Sequence, residues 1–203
     1  MTSRDSKGTA SLTGPDRPAK VLLVDDRRDN LLALEAILQG LPVLTVSADS
    51  GEDALKRLLA DDFALILLDA QMPTMDGFET ARHIKRRERT RHVPIIFLTA
   101  ADRDSHLALR GYAAGAVDYL TKPFDPWVLR AKVSVFVELW TMTQQLAAHT
   151  ELMRVRETEL RSAGAAVDEA TALLKAALAA DGELGREQVE KAMTALAKAR
   201  AKI

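Results

Sequence analysis

Three apolar runs and one short strand-like stretch in this sequence stop at polar residues able to do chemistry. Val21-Leu22-Leu23-Val24 runs into Asp25-Asp26, and Ala64-Leu65-Ile66-Leu67-Leu68 into Asp69. Val93-Pro94-Ile95-Ile96-Phe97-Leu98 runs into Thr99, and Val117 to Leu120 into Thr121-Lys122. If these runs are parallel strands of one sheet, their ends meet at the edge where open α/β folds place ligands. Three carboxylates held together repel one another and stay ionised only with a cation among them. An oxygen-only donor set with neither His nor Cys selects a hard cation, and Mg²⁺ fits best because it needs only one or two carboxylates. A lysine and a hydroxyl beside such an ion suit a phosphoryl group, whose oxygens the cations neutralise and the hydroxyl hydrogen-bonds. An aspartate in that place can accept the phosphoryl group itself, as an acyl phosphate.

Taken singly, these residues signal little. A lone strand-end Asp is more often a helix N-cap, and Asp25-Asp26 could cap the helix that follows. The joint occurrence at four strand ends carries the reading.

The elements that must position them alternate. Val43 to Ser47 reads as a further strand. Helical spacing is clear over Asn30 to Gln39, closed by Gly40, then over Gly51 to Leu59 and Phe78 to Arg89. A helix is expected from Arg103 to Ala114, and Asp125-Pro126 opens the next with an N-cap and a Pro in its first turn. The Asp69 run is short, branched and apolar throughout, as in a strand buried on both faces. Five strands alternating with five helices make a doubly wound α/β fold with a parallel sheet.

With these elements in place, the set resembles the receiver domains of two-component response regulators, over roughly Lys20 to Leu139. Asp25-Asp26 matches the acidic pair and Asp69, in Asp-Ala-Gln-Met-Pro-Thr-Met-Asp-Gly, the phosphoacceptor. Thr99-Ala100 matches the switch hydroxyl with its small neighbour, and Lys122-Pro123-Phe124 the family's lysine with its cis proline. The resemblance implies a flavodoxin-like strand order 2-1-3-4-5. It implies Mg²⁺ on Asp26 and Asp69, with Asp25 in support and the main-chain carbonyl of Gln71 as a further ligand. Thr99 and Tyr119 are the implied switch residues, and Pro123 the cis proline. The implied partner is a sensor histidine kinase, whose phosphohistidine passes its phosphoryl group to Asp69. The output is implied to go through the surface of the 103–114 helix, the last strand and the helix after it.

Beyond Asp125 no strand appears. The helix runs from Trp127 to Ser162 without Gly or Pro, and Leu139, Leu146, Met153 and Leu160 recur every seven residues, continued by Val167 and Leu174. The companion column (Met142, His149, Arg156, Ala163) is mixed, so a weak coiled coil and a homodimer through this seam are expected. Gly164 is a candidate break. Ala165 to Ala180 and Arg186 to Ile203 read as a helical hairpin, the latter with Val189, Met193, Leu196 and Ile203 on one side. The expected organisation is a disordered arm over 1–19, a receiver over 20–138, a coiled-coil continuation of the fifth helix over 139–163, and an all-α hairpin over 165–203. Trp127 and Trp140 read as packing residues, and His149 as a polar seam position rather than a phosphorelay histidine.

Composition sets further bounds. Net charge is −1, 47% of residues are hydrophobic and only 4% aromatic, which suits a helix-rich α/β protein without a basic field. Between Asp125 and Ile203 there are 11 Lys+Arg and 11 Asp+Glu, a balance that argues against DNA as a partner. No cysteine is present, which removes disulfides and thiolate chemistry and fits a cytoplasmic setting. No stretch is apolar for long enough to span a membrane. A phosphatase of the haloacid-dehalogenase type also uses Asp, Mg²⁺, Thr and Lys, but needs a second Asp two residues after a first-strand nucleophile, and Arg27 stands there. The expectation is a phosphoaccepting signalling protein, not an enzyme beyond its own phosphotransfer and dephosphorylation, with an unknown downstream protein as target. The alternative is a receiver and linker belonging to a larger regulator with a catalytic or DNA-binding output domain.

Overall fold

A computed structural model describes residues 18–100, 116–179 and 183–200. The chain divides into two compact units, Met1–Gln144 and Gln145–Ile203.

The first unit holds a five-stranded sheet in the order β2-β1-β3-β4-β5, with every pairing parallel. The strands are β1 (Ala19–Val24), β2 (Val43–Ala48), β3 (Leu65–Asp69), β4 (Ile95–Ala100) and β5 (Asp118–Lys122). Alternation along β1 explains the two-layer core. Val21 and Leu23 face one side, with Leu31, Leu34 and Leu38 of α1 (Arg28–Leu38) and Leu129, Val133 and Val137 of α4 (Pro126–Ala179). Leu22 and Val24 face the other, with Ala54 and Leu58 of α2 (Gly51–Ala60) and Phe78, Ala81 and Ile84 of α3 (Gly77–Arg86). All five residues of β3 are buried. A strand covered on both faces has no room for polar alternation, which is why its sequence is apolar up to Asp69.

Local chemistry ends the helices where the sequence suggests. Gly40 takes a positive φ of 85° just beyond α1, and Arg130 Nη1 reaches from α4 to the carbonyls of Ile37 and Gln39. Asp125 accepts the amide of Trp127 at 2.7 Å and opens α4. The Phe78–Arg89 helix stops earlier than expected, at Arg86. There the Thr90 hydroxyl takes the Ile84 carbonyl, and Lys85 Nζ bonds the carbonyls of Arg91 and Val93. The Thr90 hydroxyl thus satisfies a carbonyl that another helical turn would have used, and Lys85 ties the chain that follows back to the helix.

Two expectations need correction. Gly164 does not interrupt the long helix: α4 is helical from Pro126 to Ala179, 54 residues. Glycine there costs about 1 kcal/mol of propensity but removes no hydrogen bond, so without a proline or a cap the helix continues. Trp140 packs against the core beside β1 and α1, whereas Trp127 is 78% exposed and packs on nothing comparable. The helix expected over 103–114 and most of the arm expected over 1–19 lie outside the described residues.

In the second unit, α4 continues to Ala179 and α5 spans Glu183–Arg200. Leu139, Leu146, Met153 and Leu160, the expected seam, are all more than half exposed on α4. The residues withdrawn from solvent in this unit are instead alanines: Ala163 and Ala170 on α4, Ala192 and Ala199 on α5. No helix among the described residues is long and apolar enough to cross a membrane.

Candidate functional site

The carboxyl ends of β1, β3, β4 and β5 bring five side chains to one edge. Asp25 follows β1 and is fully buried, Asp26 beside it is exposed, and Asp69 ends β3 with 7% of its surface accessible. Oxygens of these three carboxylates lie within 4.8 Å of one another. That spacing suits one small hard cation, and among the three there is no nitrogen or sulfur donor to favour a softer metal. Lys122, the last residue of β5, places Nζ 2.8 Å from Asp25 Oδ2 and 3.0 Å from Asp69 Oδ1. Thr99 is buried near the end of β4, whose register sets Asp69 beside Leu98 and Thr99 beside Thr121. The Lys122-Pro123 peptide bond is cis.

Electrostatics follow from this crowding. Burial pushes the Asp69 carboxyl above its ordinary value; the charges of Asp25 and Asp26 add to the rise, and the hydrogen bond and charge of Lys122 oppose it. Burial alone would pull Lys122 down, but its hydrogen bonds to Asp25 and Asp69, and their charges, outweigh that and raise it. Lys122 is therefore a firm ammonium, and the charge on Asp69 is held against the cost of its burial.

The turn after Asp69 is built tightly. A Cβ on Gly77 would stand 2.1 Å from the Asp69 carbonyl oxygen and 2.9 Å from Ala70 Cα, so the first residue of α3 must be glycine. Asp76 caps α3 by accepting the Glu79 amide at 2.7 Å. Between them Thr74 takes a positive φ of 66°, and the Met75 amide bonds back to the Pro73 carbonyl at 2.7 Å. A β-branched residue at the centre of so tight a turn is strained.

The other expected residues are more open to solvent than Asp25, Asp69 and Thr99. Tyr119 lies on β5 with 41% of its surface accessible. Gln71 is exposed in the loop after β3. His149 is exposed on α4, as are the four seam residues. Asp25 does not cap α1, whose N-cap position is Arg27. Its Oδ1 accepts the Arg27 amide at 3.0 Å, and the Asn30 amide group bonds both of its oxygens at 2.8 and 3.0 Å. Asn30 is the participant that sequence reading missed. Its signal was a polar side chain in the first turn of the helix after the acidic pair, on the turn that faces back to the strand end.

Comparison with known proteins agrees with this geometry. The family model for the response regulator receiver domain matches residues 21–134. The response regulator PleD of Caulobacter vibrioides is 40% identical over 115 residues, covering 57% of this chain and 25% of PleD. The alkaline phosphatase synthesis transcriptional regulatory protein PhoP of Bacillus subtilis is 33% identical over 140 residues, 69% of this chain and 55% of that protein. The sensor histidine kinase GacS of Pseudomonas protegens is 35% identical over 129 residues, 62% of this chain and 14% of GacS. The chain thus spans from about a seventh to about half of these relatives. Among solved structures, a putative response regulator from Chloroflexus aurantiacus superposes with a TM-score of 0.57 at 32% identity, covering 60% of this chain and 99% of that one. The chemotaxis protein CheY4 of Vibrio cholerae does so with 0.55 at 29%, covering 59% and 99%.

Proposed function

Since the chain belongs to the response regulator receiver domain family, we propose that Asp69 accepts a phosphoryl group from the phosphohistidine of a sensor histidine kinase. The observation that carries this is the cluster in which Asp25, Asp26 and Asp69 converge with Lys122 between two of them. In the transfer, an oxygen of the Asp69 carboxylate bonds to phosphorus as the bond from phosphorus to the donor imidazole breaks, and the imidazole, which already carries a proton on its other ring nitrogen, takes the bond's electron pair and leaves neutral. Mg²⁺, held by Asp26 and Asp69 with the Gln71 carbonyl, would neutralise the phosphoryl oxygens when bound. Asp25 stays on Asn30, the Arg27 amide and Lys122, and fixes the position of that ammonium. Lys122, already 3.0 Å from Asp69, supplies positive charge to the oxygen that develops there. Thr99 is the hydroxyl that reports the new group, and Tyr119, on the outer part of β5, the residue that transmits it.

The output reading is protein–protein interaction through the β5 side of the domain and the C-terminal helices, in the cytoplasm, with no chemistry of its own beyond phosphotransfer. It includes a homodimer through Leu139, Leu146, Met153 and Leu160, whose exposure is what supports a covering partner. Because the chain spans only part of its relatives, a larger regulator with a separate output domain is the second reading.

Incubation with a small acyl-phosphate donor and Mg²⁺, followed by intact-mass measurement, tests the core of this. One phosphoryl group should be added, and it should be lost on Asp69→Asn and on addition of EDTA. Undiminished labelling of Asp69→Asn would overturn the assignment.

A further inference from the structure

Among the described residues of the second unit's helical hairpin, the buried ones are all alanines, and most of the large apolar side chains are exposed. Three residues separate Ala179 from Glu183, and so short a connection makes α4 and α5 antiparallel neighbours. Antiparallel helices turning there set Ala163 level with Ala199 and Ala170 level with Ala192. These are the four buried alanines, spaced by seven on each helix. Alanines thus face alanines along the seam, with Leu173 half-buried beside them.

The large apolar residues take a different direction. At about 100° per residue, Leu160, Val167 and Leu174 on α4 lie about 50° round from the alanine column. Val189 and Leu196 on α5 do likewise from theirs, and Met193 lies about 100° round in the same sense. The rotations have the same sign along each chain, and because the helices run oppositely, the two sets point to the same side of the hairpin. Val167 falls level with Leu196, and Leu174 with Val189. Their exposures run from 37% for Leu196 to 67% for Leu160. The hairpin thus presents one two-helix apolar face rather than a single-helix stripe.

We infer that this face is covered by the same face of a second copy of the chain, so that two hairpins complete a four-helix bundle. Area, charge and the rest of the sequence point to a second copy. Six large side chains between one third and two thirds exposed leave an apolar patch on the order of 500 Å² per copy, so a pair would cover ~1,000 Å², where specific interfaces begin. Residues 145–203 carry nine Lys+Arg and nine Asp+Glu, so two like units do not repel through net charge. Residues 1–17 offer only Met1 and Leu12 as large apolar side chains, too few to act as a cover. An amphipathic hairpin with one apolar face is half of a four-helix bundle, and an identical hairpin supplies the other half. The inference goes beyond the proposed seam, because it makes α5 a part of the interface.

Sedimentation of the full chain and two variants separates the possibilities. Val189→Glu/Leu196→Glu changes only exposed positions on α5, so helicity by circular dichroism should persist while the dissociation constant rises at least tenfold. Leu146→Glu/Met153→Glu, upstream of the hairpin, should weaken the dimer much less. A dimer lost only in the upstream variant overturns the four-helix bundle and leaves the seam standing; a full chain that stays monomeric at high concentration overturns both. The absence of cysteine allows a second measurement with a short bismaleimide. Val189→Cys should give covalent dimers, whereas Lys191→Cys, on the opposite side of α5, should not. Equal cross-linking at both positions, or none at 189, overturns the inference.

Discussion

Lys122 Nζ lies 3.0 Å from Asp69 Oδ1, across a gap of 53 residues in sequence. The same ammonium lies 2.8 Å from Asp25 Oδ2. One cation thus couples the ends of β1, β3 and β5, and does so before any phosphoryl group arrives. Three carboxylates against one ammonium leave the cluster short of positive charge by two, the charge of one divalent cation.

Ionising Asp69 costs stability. Burial raises its pKa in the folded state above the ordinary 3.8, so the folded protein binds this proton more tightly than the unfolded chain does. The cost is absent below about pH 3.8, grows as pH rises through the raised value, and is full above it. In buffer with EDTA, Asp69→Asn should therefore be more stable than wild type at pH 7. The gain should shrink as pH falls toward 4. Urea titrations at several pH values measure it, and a gain that does not change with pH contradicts the mechanism.

Asp26 and Thr99 should fail differently. Asp26 is the exposed carboxylate of the cluster and the one not engaged by Lys122, so Asp26→Ala should raise the Mg²⁺ concentration needed for half-maximal labelling at least tenfold. Thr99→Ala should still be labelled at saturating Mg²⁺, within a fewfold of the wild-type rate, but should lose the phosphorylation-dependent change in surface. Intact mass reads the first, and hydrogen exchange over β5 the second. Equal loss of labelling would refute separate roles.

Gly77 is held by the acceptor strand itself. A Cβ placed 2.1 Å from the Asp69 carbonyl oxygen has no flexible neighbour to displace. Gly77→Ala should cost about 2–3 kcal/mol, at the upper end for overpacking, and slow labelling because relief must move Asp69. An Ala variant with wild-type stability and rate would mean that the turn yields more readily than its geometry indicates.

Thr74 invites the opposite change. Its positive φ of 66° is natural to glycine and costly to a β-branched residue. Thr74→Gly should stabilise the fold by about 1 kcal/mol, read as a higher urea midpoint with an unchanged slope. A lower midpoint would show that the backbone there is not strained.

The sheet and the acidic cluster were legible because both come from apolar runs cut short by charge. Asp25, Asp69 and Lys122 needed only the parallel order of the strands to be brought together. Asn30 was not legible, since its role depends on the turn of α1 relative to Asp25, which periodicity does not define. The hairpin's buried positions were hidden for a similar reason. Leu146 and Met153 recur at seven and announce a seam, while the alanines that the hairpin buries are too common in any helix to stand out. Gly164 looked like a stop, but a glycine ends a helix only when the backbone turns left-handed, as Gly40 does at 85°.

The alanine seam also inverts the usual tolerance to substitution. At Ala170 or Ala192, with 1% and 0% of the surface accessible, even valine would wedge the helices apart. At Met193 or Leu196 almost any residue leaves the hairpin itself intact. Random variation along this segment should therefore be purged first at its smallest apolar positions, and the large side chains should drift unless something outside the single chain holds them.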